Sequence, residues 1–421
     1  MPFRFLHTIV CVLVLLAPTG HAQESALGAN VEGVIAFARE HNPDIASARY
    51  EAEAAQARIV SADALPDPKF RTEWRDITRM GDQNPTLSPS RVGSMRYQLM
   101  QDLPWWGKRD LKRESAEALA EVAQWRVADT WREQESRIKS TYVQLYYLQD
   151  IETLTTEIRD VIIRLEQTAQ ARYSSGIAAQ QDVIRAQLEK TALQEELITL
   201  ENEKRQWQSV LNSLMGRPAE AVLASPSYIW PLPAPEVTRY EVLTERARAN
   251  SPQLRAENAQ IIAAERFKSL SYKNRFPDFS VGISPIQYNG SIREWELMVE
   301  VTIPLQQGAL RAKERESDAL LAAAHARKNA AANQIHADLK KNISILESTR
   351  RSLALINDSL LPKATLTLRS ALAAYENGKV DFSTVLDAQK QLRQIRLSQI
   401  KNEMNARLRL ADIERVIGED L

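Results

Sequence analysis

Side chains able to do acid–base, nucleophilic or metal chemistry occur in this chain, but not at the spacings that such chemistry needs. Beyond the N-terminal region the histidines are His41, His325 and His336. His325 and His336 stand three helical turns apart, so they could share a helix face but not one ion. No HExxH pattern or His/Cys cluster occurs. The single cysteine is Cys11, and the seven methionines are scattered, which argues against a soft-metal site. Adjacent carboxylates such as Glu195-Glu196 lie in charged stretches of helical pattern, where solvation is expected. Phosphate-cradling loops and a GxSxG elbow are absent from the sequence. The expectation is a protein that is not an enzyme and needs no cofactor. Lys+Arg and Asp+Glu are both 54, so no net charge steers it to nucleic acid.

With no catalytic constellation, function must reside in geometry, and the elements are ordered by a duplication. Val34–Phe70 and Leu243–Phe279 align without a gap at an offset of 209 residues. Ala38, Arg39, Pro43, Pro68 and Phe70 recur as Ala247, Arg248, Pro252, Pro277 and Phe279. Further on, Tyr173-Ser174-Ser175-Gly176 returns as Tyr375-Glu376-Asn377-Gly378. A repeat this long implies two halves built to one plan. The expected division is a signal peptide over 1–22, a first repeat over 23–216, a proline-rich connector over 217–236 laid along the outside, and a second repeat over 237–421.

The signal peptide is read from Arg4, the apolar run Ile9–Ala17 and the small-x-small site Gly20-His21-Ala22. Cleavage would remove Cys11 and leave a net charge of −1. That run is too short for the ~20 residues that span a bilayer. Nothing later resembles a membrane helix, so any membrane insertion must be by β-strands.

Each half should open with two short helices, at 31–41 and 44–63, then 237–249 and 253–272. Asn42-Pro43 and Ser251-Pro252 separate them, because the residue before proline avoids the helical region. Paired strands are expected at 69–76 and 93–103, and at 278–284 and 293–303, with alternating apolar and polar residues. Long helical hairpins should follow at 108–215 and 309–416. At ~1.5 Å per residue each longer arm would reach roughly 100 Å. Ile138, Tyr142, Leu145, Leu148, Ile151, Leu154 and Ile158 step by threes and fours, and Leu339, Ile343, Leu346, Leu353, Ile356 and Leu360 keep the same register with one step of seven. That spacing forms the narrow seam of a coiled coil. Four strands cannot close a membrane barrel, whose smallest known size is about eight. A membrane sheet would therefore have to be shared between chains.

This plan resembles the TolC-like outer membrane factors. The residues that carry the likeness are Asn42-Pro43, Ser251-Pro252, the paired Tyr-x-x-Gly tips and Leu103-Pro104-Trp105-Trp106-Gly107-Lys108-Arg109, the last most like the heavy-metal cation efflux branch. The resemblance covers essentially the whole mature chain. It implies a mainly α fold with a membrane β-barrel contribution: a homotrimer whose twelve strands form a barrel in outer membrane lipid and whose helices form a tunnel through the periplasm. A periplasmic adaptor would dock at the helical tips and link the duct to an inner-membrane pump of RND type. The turns at Gly176 and Gly378 would form the periplasmic entrance, near Asp182, Tyr375 and Asp387. Two family features are missing. Val380 stands where the prototype has a gating arginine, and Thr384 replaces a gate acid.

The leading expectation is thus a passive duct for efflux of metal cations. A port for type I protein secretion or for drug efflux is the alternative, and a soluble periplasmic coiled-coil scaffold is a third reading. At Asp182 and Asp387 the plainer reading is a pair of first-turn acids favoured by the helix dipole. At the glycines it is ordinary helix capping.

Overall fold

The structure is a computed structural model that describes residues 27–421; the signal segment over 1–22, with Cys11, lies outside the described residues. The elements in order are α1 (Val31–His41), α2 (Pro43–Asp63), β1 (Lys69–Arg75), β2 (Ser94–Leu103), α3 (Lys108–Ser174), α4 (Gln180–Leu214), α5 (Tyr240–Asn250), α6 (Pro252–Lys273), β3 (Asp278–Tyr288), β4 (Ser291–Thr302), α7 (Gln307–Leu355), a π-helical turn (Ile356–Leu360), α8 (Leu361–Glu376) and α9 (Phe382–Ile417). No described helix is long and apolar enough to cross a membrane.

The contacts define two compact units, and each draws on both repeats. One comprises, among the described residues, 27–42, Arg137–Leu232 and Leu346–Ala411. The other comprises Pro43–Ser136, Pro233–Ile345 and Asp412–Leu421.

In the first unit α1 starts at Asn30, whose side chain accepts from the Gly33 amide at 2.9 Å. The helix ends at Asn42, where Pro43 follows. The Asn42 amide donates to Ala38 O, and its side chain donates to Leu214 O at 2.7 Å. Leu27, Val31, Val34 and Ala38 pack on Ile138, Tyr142, Leu145, Leu211 and Met215. The connector is more than an outer spacer. The Ala224 and Ser227 amides donate to Leu27 O and Ala29 O, and Leu223 and Trp230 pack on this core.

The seam positions on α3 are buried except for Ile151, which is half-buried; Leu339, Ile343, Leu346 and Ile356 are buried, Leu353 is half-buried, and Leu360 is exposed. Pro362 explains this. Its ring would collide with the carbonyl four residues earlier and it has no N–H to donate. The chain widens instead into one π turn, with the Leu361 amide reaching Ile356 O. The extra residue in that turn rotates the following side chains off the seam.

In the second unit the four strands form one antiparallel sheet in chain order, β1-β2-β3-β4. Strand β1 stops one residue early because Asp76 is left-handed at φ 55°. The second hairpin is longer than expected. Residues 285–288 and 291–292 lie outside the strands expected at 278–284 and 293–303, but they pair up to a two-residue turn at Asn289-Gly290, whose φ values of 45° and 88° suit a primed turn. Pro285 is tolerated because it pairs with Trp295 on β4, whereas the β2–β3 pairing is interrupted between Ile283 and Ile286. A bulge at Ile286/Gln287 shifts the end of the hairpin. Helix α5 begins at Tyr240 rather than 237, since Val237 and Thr238 are held in turns by Ala234 O and Pro235 O.

Candidate functional site

Two surfaces carry the geometry that function would use. The first is the sheet, whose pairing puts apolar residues on a single face. Phe70, Leu99, Ile283 and Leu297 form one row across all four strands, and they are 68, 50, 46 and 81% exposed. Val281 with Val299 and Phe279 with Val301 extend that face. No part of the described chain covers that row, so its natural environment is apolar. The opposite face is polar and cross-linked. Lys69 pairs with Asp102 at 2.6 Å, Asp102 accepts from Ser280 at 2.6 Å, and Arg96 bonds Glu296. Alternation of this kind, with one face exposed and apolar and the other polar, is that of a lipid-facing barrel wall.

The Pro-Trp-Trp-Gly-Lys-Arg stretch joins β2 to α3 and docks onto the corresponding corner of the second repeat. Lys108 is buried, and its ammonium donates to Asp278 at 2.8 Å and Phe276 O at 2.9 Å. The Trp105 amide donates to the same Asp278 oxygen at 2.8 Å. The Trp105 ring stacks on Phe276 and Phe279 at 5.1 and 5.8 Å, while Trp106 remains 73% exposed. Amphipathic rings at the foot of a membrane sheet suit the water–lipid boundary.

The second surface is the pair of helical tips. At the end of α3, Gly176 is left-handed (φ 74°), its amide donates to Tyr173 O, and the Ile177 amide donates to Arg172 O. At the end of α8, Gly378 has φ 67°, its amide donates to Tyr375 O, and the Lys379 amide donates to Ala374 O. Both are Schellman caps, in which glycine avoids the Cβ clash of the left-handed conformation.

The structure brings Tyr375 and Asp182 together but leaves Asp387 apart. Tyr375 is buried among Val183, Ala186, Ala371, Phe382 and Val385. Its ring lies 5.5 Å from that of Phe382, and its hydroxyl has no partner. Burial raises the pKa of that hydroxyl above its ordinary value, with the nearby Asp182 charge adding to the effect and Arg172 opposing it. Asp182 lies in the first turn of α4, as the plainer reading had it. Asp387 does not fit that reading, because α9 starts at Phe382 and Asp387 is exposed on its second turn.

Sequence reasoning missed Arg172. Two residues after Gly378 the chain has Val380. In the structure the cation comes from the other tip. Arg172 donates from Nη1 to Tyr375 O at 3.2 Å and Glu376 O at 3.3 Å, and its guanidinium carbon stands 4.8 Å over the Tyr375 ring. It thereby caps the C-terminal carbonyls of α8 from the last turn of α3. The only sequence signal was its place four residues before the first tip glycine. Farther along, ion pairs zip the helices together, with Lys190 on Glu166, Lys390 on Glu189 and Arg393 on Glu196.

Groups of three or more His, Cys, Asp or Glu able to hold a metal are absent among the described residues.

Comparison with known proteins places this architecture. The chain is 23% identical over 408 residues to the cobalt-zinc-cadmium resistance protein CzcC of Cupriavidus metallidurans, covering 94% of this chain and 91% of that protein. Its fold matches the outer-membrane channel OprN (TM-score 0.77, 19% identity, 92% of this chain and 89% of that one). It also matches the outer membrane protein VceC of Vibrio cholerae (TM-score 0.79, 14% identity, 93% and 96%). The sequence fits the outer membrane efflux protein family over residues 34–217 and 243–419, one segment in each repeat. The soluble-scaffold reading is therefore set aside, because both repeats match a family of outer membrane efflux proteins. The chain belongs to the outer membrane efflux protein family, as a transport channel of the outer membrane with a helical periplasmic extension and not as an enzyme.

Proposed function

We propose that this protein is the outer membrane duct of a tripartite system that exports heavy-metal cations from the periplasm. It works as a homotrimer, coupled through a periplasmic adaptor to an RND-type inner-membrane pump. The observation that carries the reading is the sheet. Its apolar face is exposed along its whole width, and its outer strands β1 and β4 each have one unpaired edge. In lipid each unpaired backbone group costs several kcal/mol, so β4 of one copy must pair with β1 of the next. Three copies close a barrel of twelve strands. On the polar face β1 presents Lys69, Arg71, Glu73 and Arg75 and β4 presents Glu294, Glu296 and Glu300, so Arg71 on β1 and Glu294 and Glu300 on β4 offer opposite charges for that joint.

Metal cargo is supported by the likeness to a cobalt-zinc-cadmium resistance protein over nearly the whole chain. The two repeats then serve as near-equivalent staves. The caps at Gly176 and Gly378 form the adaptor-facing rim of the tunnel. Asp182, Tyr375 and Asp387 stand at its entrance, where acids around a threefold axis favour cations.

A deletion strain tests the reading. It should become sensitive to cobalt, zinc or cadmium and be rescued by the gene. Unchanged metal tolerance with new sensitivity to drugs, or a block in protein secretion, would reject metal cargo. A monomer after gentle detergent extraction would reject the shared barrel.

A further inference from the structure

We propose that the corner where the end of α6 meets the start of α3 binds the phosphate of an anionic phospholipid, with Lys273 as its main contact. The proposal rests on the apolar sheet face being the lipid-facing wall, and goes beyond it by assigning a headgroup site at the foot of that wall. Lys273 is the last residue of α6. Its ammonium lies directly against Gly107, the residue before α3. A Cβ at Gly107 would collide with that ammonium and stand 3.3 Å from Lys273 Cε, and Gly107 is left-handed at φ 76°. Glycine thus leaves the space in which the lysine head rests.

The charge of this corner has the wrong sign for a helix start. The N-terminal end of a helix carries about half a positive charge and favours anions. Yet α3 opens with Lys108, Arg109 and Lys112 against one first-turn acid, Asp110, and Lys273 adds a further cation from α6. Several of the charges are compensated. Lys108 has Asp278 at 2.8 Å and Arg109 has Asp63 at 3.6 Å. The cations beside Lys273 in the chain are compensated too, Lys268 by Asp318 and Arg275 by Glu314. Lys273 and Lys112 have no carboxylate partner among the described residues. An ammonium held against the positive end of a helix, with no acid beside it, calls for an anion from outside the chain.

The place of the corner decides which anion. Trp106, next to Gly107, is 73% exposed, and its ring lies 5.8 Å from that of Phe279. Phe279 pairs with Val301 on the exposed apolar face. The apolar surface therefore continues from the strands through Phe279 to Trp106 and stops beside the Lys273 ammonium. A lipid whose chains lie along that surface carries its phosphate to the level of the lysine. Tryptophan favours this boundary, and basic residues there draw anionic headgroups. A lysine that served only to complement the C-terminal end of α6 would show no preference among headgroups.

The test uses the full-length channel in nanodiscs of phosphatidylglycerol and phosphatidylcholine in equal parts, with native mass spectrometry of the lipids retained on release. The parent channel should retain phosphatidylglycerol over phosphatidylcholine, and Lys273→Gln should lower that preference by about fivefold. Gly107→Ala, which keeps the charge but displaces the ammonium, should lower it as well, whereas Lys340→Gln on α7 should not. Undiminished preference in Lys273→Gln, or an equal loss in Lys340→Gln, would overturn the proposal. So would displacement of the retained lipid by inorganic phosphate, which would make the corner a site for the free ion. A channel that retains both lipids equally would reject the headgroup site and leave the lipid-facing wall standing. One that retains neither would reject both.

Discussion

Arg172 offers the sharpest test of how the tips hold together. It ties α3 to α8 within one chain by two bonds to the terminal carbonyls Tyr375 O and Glu376 O and by its position 4.8 Å above the Tyr375 ring. A cation at a helix C-terminus contributes about 0.3–1 kcal/mol. A cation over an aromatic face adds at least about 0.5–1 kcal/mol. Arg172→Gln should therefore shift the balance between joined and separated tips by about 1–2 kcal/mol, a factor of roughly 5–30. In planar bilayers this should appear as a higher open probability at unchanged full conductance, because the sheet is untouched. Arg172→Lys keeps the charge but loses the planar donor pair, and should fall between the two. The hydroxyl of Tyr375 stays neutral through the ordinary range because its pKa is raised, so the effect should not vary between pH 6 and pH 8. Open probability equal to that of the parent channel in Arg172→Gln, with trimer yield preserved, would refute the clamp.

Further outcomes follow from other parts of the molecule. Gly176→Val and Gly378→Val force a β-branched residue into the left-handed region. Each should cost about 1–2 kcal/mol and lower metal resistance while trimers still reach the membrane; full resistance in both would count against a role for the tips in docking. The Tyr142 hydroxyl lies 2.8 Å from Ala29 O and 2.9 Å from Tyr228 O, and burial pushes its pKa up to about 12. Tyr142→Phe leaves Tyr228 O short of a donor, while Ala29 O keeps the Ser227 amide, and should destabilise the connector by about 1–3 kcal/mol, read as a lower Tm and faster proteolysis near Tyr228. Asp129 has its pKa raised, mainly by burial, with Glu133 adding and Arg415 opposing. A raised carboxyl favours the folded state at low pH, and that contribution is lost as pH rises through the folded value. Asp129→Asn should therefore raise Tm at pH 7.5, and the gain should vanish near pH 3; a constant gain at both would refute the assignment. Lys108→Met removes the ammonium that Asp278 and Phe276 O share, and should reduce trimer yield more than Lys112→Met on the same helix.

Much of this fold was legible because it is periodic. Alternation in β4 marked Trp295, Leu297, Val299 and Val301 as one face, and the structure exposes that face as a unit. The spacing from Ile138 to Ile158 marked a buried seam for the same reason, since a helix repeats its faces every three to four residues. Turns with a fixed chemistry were also visible: Asn42-Pro43 ends α1, and glycine ends α3 and α8. Boundaries were read less well where two rules compete. Pro285 suggested a loop, yet the pairing of the hairpin carries it inside β3. Pro362 lies within a helical pattern, and only the π turn shows how the chain admits it and why Leu360 leaves the seam.

The candidate site divides along the same line. Gly176 and Gly378 could be named from their local pattern, and Tyr375 and Asp182 from the family resemblance, but Arg172 could not. Its role depends on a carbonyl 203 residues away. The same holds for Lys108, buried against Asp278. By itself the sequence determined the repeat, the face each residue takes within its own element, and the absence of catalytic spacing, because all of these follow from local steric and hydrophobic periodicity. The tertiary structure alone decided which elements meet. It joined the two hairpins through β2 and β3, and brought an arginine from one tip onto the tyrosine of the other. Those pairings come from shared burial between distant segments, and a local pattern carries no record of its partner.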